Sequence, residues 1–441
     1  MNAPLDAKRV YLDAIAAAGN RLPGNSQSWV RALRECAATR FAELGIPTTA
    51  VEDWKYTNVA ALARQPFQPA LDEVAASSDA PRLGDLDAYR LVFINGRYSA
   101  ALSTPPKLPA TGYAGSLAQA LNTRAAELEP YLGKVAPIDS HAFAALNTAF
   151  LIDGLYLRIP AGTALERPIH VTYLGGQASL AQPHALIVAE TGSQVTVVEH
   201  YEALGNDRYF TNALTEVALQ RSAVVEHYRV QQEGAHGYNV AGLYVSQDRD
   251  SRFTSHAVDF GGLLVRNDLR TVLAEGAECA LNGLYVVDGR QHVDNHTLID
   301  HAQPRATSRE LYKGVLEGRG RAVFNGRVLV RSGAQQTDAH QMNNNLLLSD
   351  DAEIDTKPEF EIYADDVRCG HGATVGQLDA DALFYLRSRA IDDAAARDLL
   401  TYAFAHDILN RFRLPAIRTA LEKQLLTRLL HGRQIKEVEL V

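Results

Sequence analysis

At 441 residues the chain is long enough for about three average domains, and 46% hydrophobic with 22% charged residues is typical of a globular protein. The 43 basic and 52 acidic residues give a formal net charge of −9, so the chain lacks the basic field that attracts nucleic acid or anionic lipid. We find no apolar run of 18 residues and no signal-peptide pattern, which predicts a cytoplasmic protein. Three scattered cysteines, Cys36, Cys279 and Cys369, predict reduced thiols in place of a disulfide framework.

The first helical pattern runs from Ser26 to Gly45, where apolar residues recur at steps of three and four. Gly45 and Pro47 supply the stop signal. Cys36 lies on the apolar stripe, so we expect a buried structural thiol at that position. Mixed and proline-containing segments follow, and residues 1–150 are predicted to form a helical and irregular N-terminal domain.

From about Gly154 the apolar pattern takes a period of two, which predicts strands as far as about residue 378. Turn signals recur there every 25 to 30 residues, and each is followed by an alternating run. This spacing favours a β-helix or similar solenoid over residues 151–378, with a β-sandwich of long hairpins as the alternative. The turn signals are Gly162, Gly192, Ser222, Ser251 and Gly276.

Two late strands carry opposite charges on their outward faces. In 321–331 the even positions are small or apolar and the odd positions are rich in arginine, whereas in 353–365 the odd positions are rich in carboxylates. If the two strands stack on neighbouring turns, basic and acidic side chains meet across the ladder. A solvated charged surface is the alternative.

The helical period returns after Leu378. Asp392 or Asp393 is expected to cap a helix whose apolar face includes Leu399, Leu400 and Phe404. Pro415 separates it from a second helix. Residues 379–441 are therefore predicted to form a C-terminal helical region that packs on the strands or on a partner.

The densest histidine cluster, His292, His296 and His301, invites a metal-site interpretation. On one extended strand His292 and His296 share a face, and His301 lies on the other. Because the three imidazoles do not lie on one face, this placement favours a structural role, in which they form hydrogen bonds, over a metal site. A self-sufficient, histidine-rich metal-binding protein remains an alternative.

A second candidate site combines Cys369 and His371, two residues apart and flanked by Gly370 and Gly372 on a backbone that is free to bend. A thiol and an imidazole are ligands that iron and zinc accept, but two ligands do not complete a four-ligand site. An inert core thiol is the alternative. We find no nucleotide-binding loop or hydrolase motif in the sequence, and a β-helix carbohydrate enzyme has only fold analogy in its favour.

Several long motifs occur in the order found in the SufB/SufD family of iron–sulfur cluster assembly proteins, which the chain resembles, most of all in its SufD branch. The resemblance covers nearly the whole chain. The motifs are Glu52–Thr57 (EDWKYT), His296–His301 with Tyr312–Leu316, Asn343–Ser349, Cys369–Gly376 and Phe384–Arg389.

The resemblance implies a mainly β protein, with a right-handed parallel β-helix between helical terminal domains. It implies a non-catalytic subunit that pairs with the paralogue SufB and docks the SufC ATPase. His371 falls on the family's interface histidine, beside Cys369, where an iron–sulfur cluster forms transiently in the complex. Because the chain has few cysteines, unlike SufB, we expect the isolated chain to bind no cofactor tightly. Without SufB the flank of the β-helix stays uncovered, and since a second copy of the same chain is the nearest substitute, we expect the isolated chain to form a homodimer.

The resemblance also places SufC docking on the C-terminal helices. An intramolecular core is the alternative use of the same apolar stripe. The residues concerned are Tyr385, Arg387, Arg389, Leu399, Leu400 and Phe404.

Overall fold

A computed structural model of the chain describes residues 7–64, 67–71 and 80–429, with helices near both ends and strands between them. None of the helices in these ranges is long and apolar enough to span a bilayer. The α-helices are α1 (Ala7–Ala18), α2 (Ser28–Leu44), α3 (Ala60–Arg64), α4 (Leu117–Thr123), α5 (Ala125–Leu128), α6 (Ala142–Phe150), α7 (Ala380–Ser388), α8 (Asp393–Leu409) and α9 (Pro415–Leu429). The strands are β1 (Gln68–Pro69), β2 (Tyr89–Ile94), β3 (Arg97–Tyr98), β4 (Tyr113–Ser116), β5 (Leu155–Ile159), β6 (Ile169–Gly175), β7 (Ser179–Ala181), β8 (His184–Ala189), β9 (Gln194–Ala203), β10 (Tyr209–Leu219), β11 (Val224–Gln232), β12 (Gly237–Gln247), β13 (Arg252–Asp259), β14 (Leu264–Leu273), β15 (Glu278–Val287), β16 (His292–His301), β17 (Thr307–Leu316), β18 (Arg321–Val330), β19 (Thr337–Leu347), β20 (Glu353–Ile362) and β21 (Val367–Gly376).

The strands coil into a parallel solenoid of about eight turns that is bounded by two sheets. Sheet A has the order β20-β18-β16-β14-β12-β10-β8-β5-β4, and sheet B has the order β21-β19-β17-β15-β13-β11-β9-β6-β2-β3. Each strand from β8 to β19 pairs in parallel with the strand two positions on in the chain. The predicted β-solenoid is therefore confirmed, and the β-sandwich alternative, which needs antiparallel hairpins, is wrong.

A residue with positive φ holds the same corner in seven successive turns of the solenoid. Its N–H donates to a carbonyl in the next turn, so the corners form a hydrogen-bonded column along the solenoid. Glycine and short polar residues tolerate this left-handed conformation, which is why they mark the repeat in the sequence. Four of the five predicted turn residues lie in the column, and the fifth, Ser251, is displaced by its neighbour Asp250. The column is Gly162, Gly192, Ser222, Asp250, Gly276, Arg305 and Gln336.

The interior of the solenoid is filled by every second residue of each strand, as the period of two predicts. In β18 the predicted inward residues Ala322, Phe324 and Val328 are buried. The predicted charge ladder is also present across β18 and β20. Arg321 pairs with Glu353, directly opposite it, at 3.0 Å. Arg327 pairs at 2.7 Å with Glu361, which lies two residues beyond the position opposite Arg327.

Helices cover the outer faces of the two sheets. On sheet A, α1, α2 and α6 contribute Tyr11, Phe41 and Phe143 to a cluster with Phe210 and Tyr238 of the strands. Burying such large side chains against a sheet contributes about 1.5–3 kcal/mol each. Strand β2 of this N-terminal part also pairs with β6, so the chain enters the solenoid before the start of the long strand region.

The C-terminal helices cover sheet B. Ile408 of α8 and Leu421 of α9 lie in one buried cluster with Tyr228 and Val258 of the sheet, so the prediction that this region packs on the strands is confirmed. The Asp392 side chain accepts a hydrogen bond from the Ala395 N–H and caps α8 as expected. Residues from 430 onward, including the end of the predicted 379–441 region, lie outside the described residues.

Cys36 does not have its predicted environment. Helix α2 begins and ends close to the predicted bounds, but its buried face consists of Val30, Arg34, Ala37 and Phe41. Cys36 is exposed, because it lies about 100° around the helix from Ala37 and outside the stripe that meets α6. The prediction that the Cys36 thiol is buried is therefore wrong.

The EDWKYT segment is attached to sheet A through a buried arginine. The Arg266 guanidinium lies 4.5 Å from the Trp54 ring, donates to the Asp53 carbonyl at 2.8 Å and pairs with Asp294 at 2.5 Å and Asp268 at 2.7 Å. Burial alone would raise the pKa of Asp294, but the positive charge of Arg266 holds that pKa well below its usual range. One charge thus joins the N-terminal segment to two neighbouring strands.

Replacing Arg266 with alanine is expected to lower the free energy of unfolding by about 3–5 kcal/mol, because it removes the guanidinium that neutralises two buried carboxylates and leaves Asp268 and Asp294 with only imidazoles as ion-pair partners among the described residues. Arg327→Ala is the matched control. Arg327 is 43% exposed in its pair with Glu361, so its loss should cost at most about 1 kcal/mol. Urea unfolding of both variants measures the difference, and similar losses in the two would contradict the assignment.

Candidate functional site at the open end of the solenoid

The last turn of the solenoid ends on β20 in sheet A and β21 in sheet B. Within the described ranges, β20 pairs only with β18 and β21 only with β19, so both strands have an outer edge without a partner strand. Exposed apolar side chains lie near these edges, among them Ile362, Tyr363 and Val375. Unpaired edges with apolar flanks are surfaces on which another chain can add strands.

The candidate residues Cys369 and His371 both lie on β21. The glycine-rich segment that holds them is a regular strand, not the bent backbone that the sequence suggested, and it follows β19 residue by residue. Strand alternation therefore points both side chains toward the interior side of sheet B. The structure brings the two predicted site residues together on one face of the open end.

The two side chains differ in exposure. Cys369 is in register with the buried Ala339 and packs against the solenoid core, and this partial burial raises the pKa of its thiol. His371 is exposed, and its ring meets the ring of Phe360 edge to face, with 4.9 Å between the centroids. The imidazole is therefore positioned by an aromatic side chain of β20 and is accessible to a partner.

Two polar side chains lie behind His371 in the same inward row. The register places Gln341 one turn below His371 and Glu310 one turn below Gln341. Gln341 Nε2 donates to Glu310 Oε2 at 2.6 Å, and the Gln341 amide fits because residue 326 of the opposite sheet is a glycine. A Cβ at Gly326 would lie 2.2 Å from Gln341 Nε2.

Sequence reasoning missed this row. Its members are about 30 residues apart in the chain, so only the register of three strands reveals that they are neighbours. A carboxylate at an inward position of an alternating strand was the available signal. Burial raises the pKa of Glu310 to about 7.

The histidine cluster has a structural role, as its strand placement predicted. His292 Nε2 lies 2.8 Å from the Thr57 hydroxyl, His296 pairs with Asp294 at 3.1 Å, and His301 faces the interior and lies 2.9 Å from Ser308 Oγ. In the ranges that the structure describes, no group of three or more His, Cys, Asp or Glu residues is placed to hold a metal ion. The cluster therefore does not support a self-sufficient metal-binding protein.

A cleft of about 410 Å³ lies beside β21 on sheet B. Its lining includes Arg309, His340 and Arg411, and Glu310 is the one carboxyl group among the lining residues. Glycoside hydrolysis by the usual mechanism needs two carboxyl groups on opposite sides of the bond. The cleft does not supply that pair.

The predicted partner-binding residues on the C-terminal helices divide into two groups. Tyr385 is 56% exposed on α7 and accepts a hydrogen bond from Arg389 at 3.0 Å, while Arg387 pairs with Asp393 at 3.4 Å. Leu399 is exposed on α8. These four residues lie on the outer surface of the helices.

The other two residues lie closer to the solenoid. Leu400 is half-buried, and the half-buried Phe404 packs beside the sheet B cluster with its ring 4.6 Å from Lys313 Nζ. The most exposed aromatic side chain of the region was missed. Phe384, next to Tyr385, is 73% exposed on a helix in which none of the residues is buried.

Comparison with known proteins gives a consistent result along the chain. Residues 172–404 match the family described as "SUF system FeS cluster assembly, SufBD core domain", and residues 5–171 match "SufBD protein N-terminal region". A SufBD family iron–sulfur cluster assembly protein of Synechocystis is 36% identical, covering 88% of this chain and 89% of the relative. The iron–sulfur cluster assembly protein SufD of Escherichia coli is 32% identical (87% and 89% covered), and that of Bacillus subtilis is 28% identical (89% and 92% covered).

The buried Glu310 predicts a pH-dependent stability. The pKa of this carboxyl group is near 4.5 in the unfolded chain and about 7 in the folded chain, so about 3 kcal/mol of unfolding free energy is fully present below about pH 4 and is lost as the pH rises from there through about 7. Glu310→Gln should therefore be more stable than the wild type at pH 8 and similar to it at pH 4. Urea unfolding at both pH values tests this, with the exposed Glu129→Gln as the control. An equal difference at both pH values would contradict the prediction.

Proposed function

Because this chain belongs to the SufBD family of iron–sulfur cluster assembly proteins, we propose that it acts as the SufD-type, non-catalytic subunit of a SUF scaffold complex. Its open end pairs with a SufB paralogue, and its C-terminal helices dock the SufC ATPase. The observation that carries the proposal is the coincidence of two features at one place. The last turn of the solenoid holds the accessible His371 and the two sheet edges that have no partner strand among residues 7–64, 67–71 and 80–429.

The iron–sulfur cluster is the cargo of this site. The His371 imidazole supplies one nitrogen ligand, a type that iron accepts, and Cys369 lies on the same face as a neighbouring thiol. The described part of the chain provides no three-ligand group, so the partner supplies the remaining ligands. Only the paired chains therefore complete the site, and the isolated chain, which we propose forms a homodimer, binds no cluster tightly.

SufC docking is proposed for the outer surface of α7 and the start of α8. Phe384 and Tyr385 are large aromatic side chains with most of their surface in water, and Leu399 is exposed on the next helix. Large aromatic side chains in such positions are typical anchors of protein interfaces. The ATPase activity belongs to SufC in this proposal, and the chain transmits the resulting movement to the open end.

His371→Ala is expected to leave the fold intact, because the side chain is exposed, and to reduce the rate of cluster formation in the reconstituted complex by about tenfold or more. His340→Ala is the matched control, since His340 is also exposed and lies on the neighbouring strand but outside the inward row. Cys369→Ala tests whether the thiol is a ligand. Iron and sulfide analysis of the complexes measures the effect, and a normal yield with His371→Ala would exclude the ligand role.

The double variant Phe384→Ala and Tyr385→Ala is expected to weaken SufC binding by roughly 30-fold or more while pairing with SufB persists. Tyr363→Ala is the matched control, because Tyr363 is an equally exposed aromatic residue near the β20 edge. It should weaken SufB pairing and spare SufC. Pull-down with each tagged partner separates the two surfaces, and retained SufC binding by the double variant would move the docking site elsewhere.

A further inference from the structure

Three inward side chains of sheet B stand in one row that ends at His371. The register places His371 opposite Gln341 and Gln341 opposite Glu310, and neighbouring strands of a sheet lie about 4.8 Å apart. Gln341 and Glu310 are 2% and 4% exposed, whereas His371 is exposed. The row therefore runs from an accessible imidazole into the buried interior, and its middle member is an amide.

The hydrogen bonds of this row orient the Gln341 amide. Its Nε2 donates to Glu310 Oε2 at 2.6 Å, and a carboxylate oxygen accepts hydrogen bonds but does not donate them. The NH₂ end of the amide therefore faces Glu310, and the carbonyl end is left for another neighbour. In the described part of the chain, Gln341 Oε1 is buried without a hydrogen-bond partner. Most buried polar atoms in proteins have one.

The surroundings keep the amide and the imidazole close together. A Cβ at Gly326 of the opposite sheet would lie 2.2 Å from Gln341 Nε2, so the glycine leaves the space that the amide occupies. Phe360 meets the His371 ring edge to face, with 4.9 Å between the centroids. Because the exposed imidazole lies on the strand next to Gln341, a rotation about its side-chain bonds is sufficient to bring a ring N–H to Oε1.

A histidine that binds a metal through one ring nitrogen usually donates a hydrogen bond from the other, and this bond fixes the tautomer and the direction of the lone pair. We infer that Gln341 is the positioning residue for His371: its Oε1 accepts the Nδ1–H of the imidazole, so that Nε2, at the tip of the side chain, keeps its lone pair for iron. Glu310 acts one step further away, because it holds the amide in the required orientation. The inference rests on the proposed ligand role of His371 and adds the residues that prepare it.

Gln341→Met tests the inference, because it removes the acceptor and keeps an unbranched side chain of similar length. In the complex with SufB and SufC, the variant should need about tenfold more iron, or more, for the half-maximal rate of cluster formation. The maximal rate should change by less than about twofold, since the imidazole ligand itself is retained. Measurements at pH 8 keep Glu310 mostly ionised, because burial raises the pKa of this carboxyl group to about 7.

The tautomer of His371 gives a second readout, which does not depend on iron. In the full chain with ¹⁵N-labelled histidine, the NMR signals that disappear in His371→Ala identify this residue. At pH 8 the wild type should have Nδ1 protonated and Nε2 unprotonated. In Gln341→Met the Nδ1–H form should lose its predominance.

Asn343→Leu is the matched control. Asn343 is another buried amide of β19, and its Nδ2 donates to the Tyr285 hydroxyl at 3.0 Å, outside the row, so its loss should lower stability without changing either readout. An unchanged iron requirement or an unchanged tautomer in Gln341→Met, or equal changes in both variants, would overturn the inference. A normal cluster yield with His371→Ala would instead count against the proposed function.

Discussion

In-register stacking of parallel turns is the constraint on which this molecule depends. Each turn obtains its backbone hydrogen bonds and its buried neighbours from the turns before and after it. The column of positive-φ corners keeps the turns aligned, and the inward rows then repeat from strand to strand. Because every turn needs a neighbour on each side, the last turn has hydrogen-bonding groups on β20 and β21 that no other strand of the described part of the chain pairs with. The helices cover the faces of the sheets but cannot supply that neighbour.

Much of this architecture could be predicted from sequence because it is periodic. The alternation along Arg321–Val330 assigns the inward set correctly, and the recurrence of Gly162, Gly192 and Ser222 marks the corners. The corner predicted at Ser251 lies one residue earlier, at Asp250. The sequence does not distinguish the two positions, because both residues are short and polar. Cys36 is a failure of another kind. Whether Cys36 is buried depends on which residues of α2 contact α6, and helical periodicity alone does not show how far around the helix the buried face extends.

The candidate site could be predicted only in part. Cys369 and His371 are conspicuous because thiol and imidazole groups two residues apart are chemically distinctive. Glu310 and Gln341 are ordinary residues in sequence, and they become part of the site only through a register that spans two further turns. Phe384 was overlooked for a related reason, because an apolar residue on a short helix is as consistent with burial as with exposure.

The two ends of the solenoid are unlike. At the N-terminal end of the solenoid, β3 pairs antiparallel with β2, and β4 pairs antiparallel with β5. These short strands cover the first turn. A coil with two bare ends would stack head to tail without limit, as amyloid and other fibrous assemblies do. With one end covered, a bare end can meet only another bare end. The geometry therefore restricts growth along the axis to two coils, so the chain is directed toward closed pairs and away from filaments.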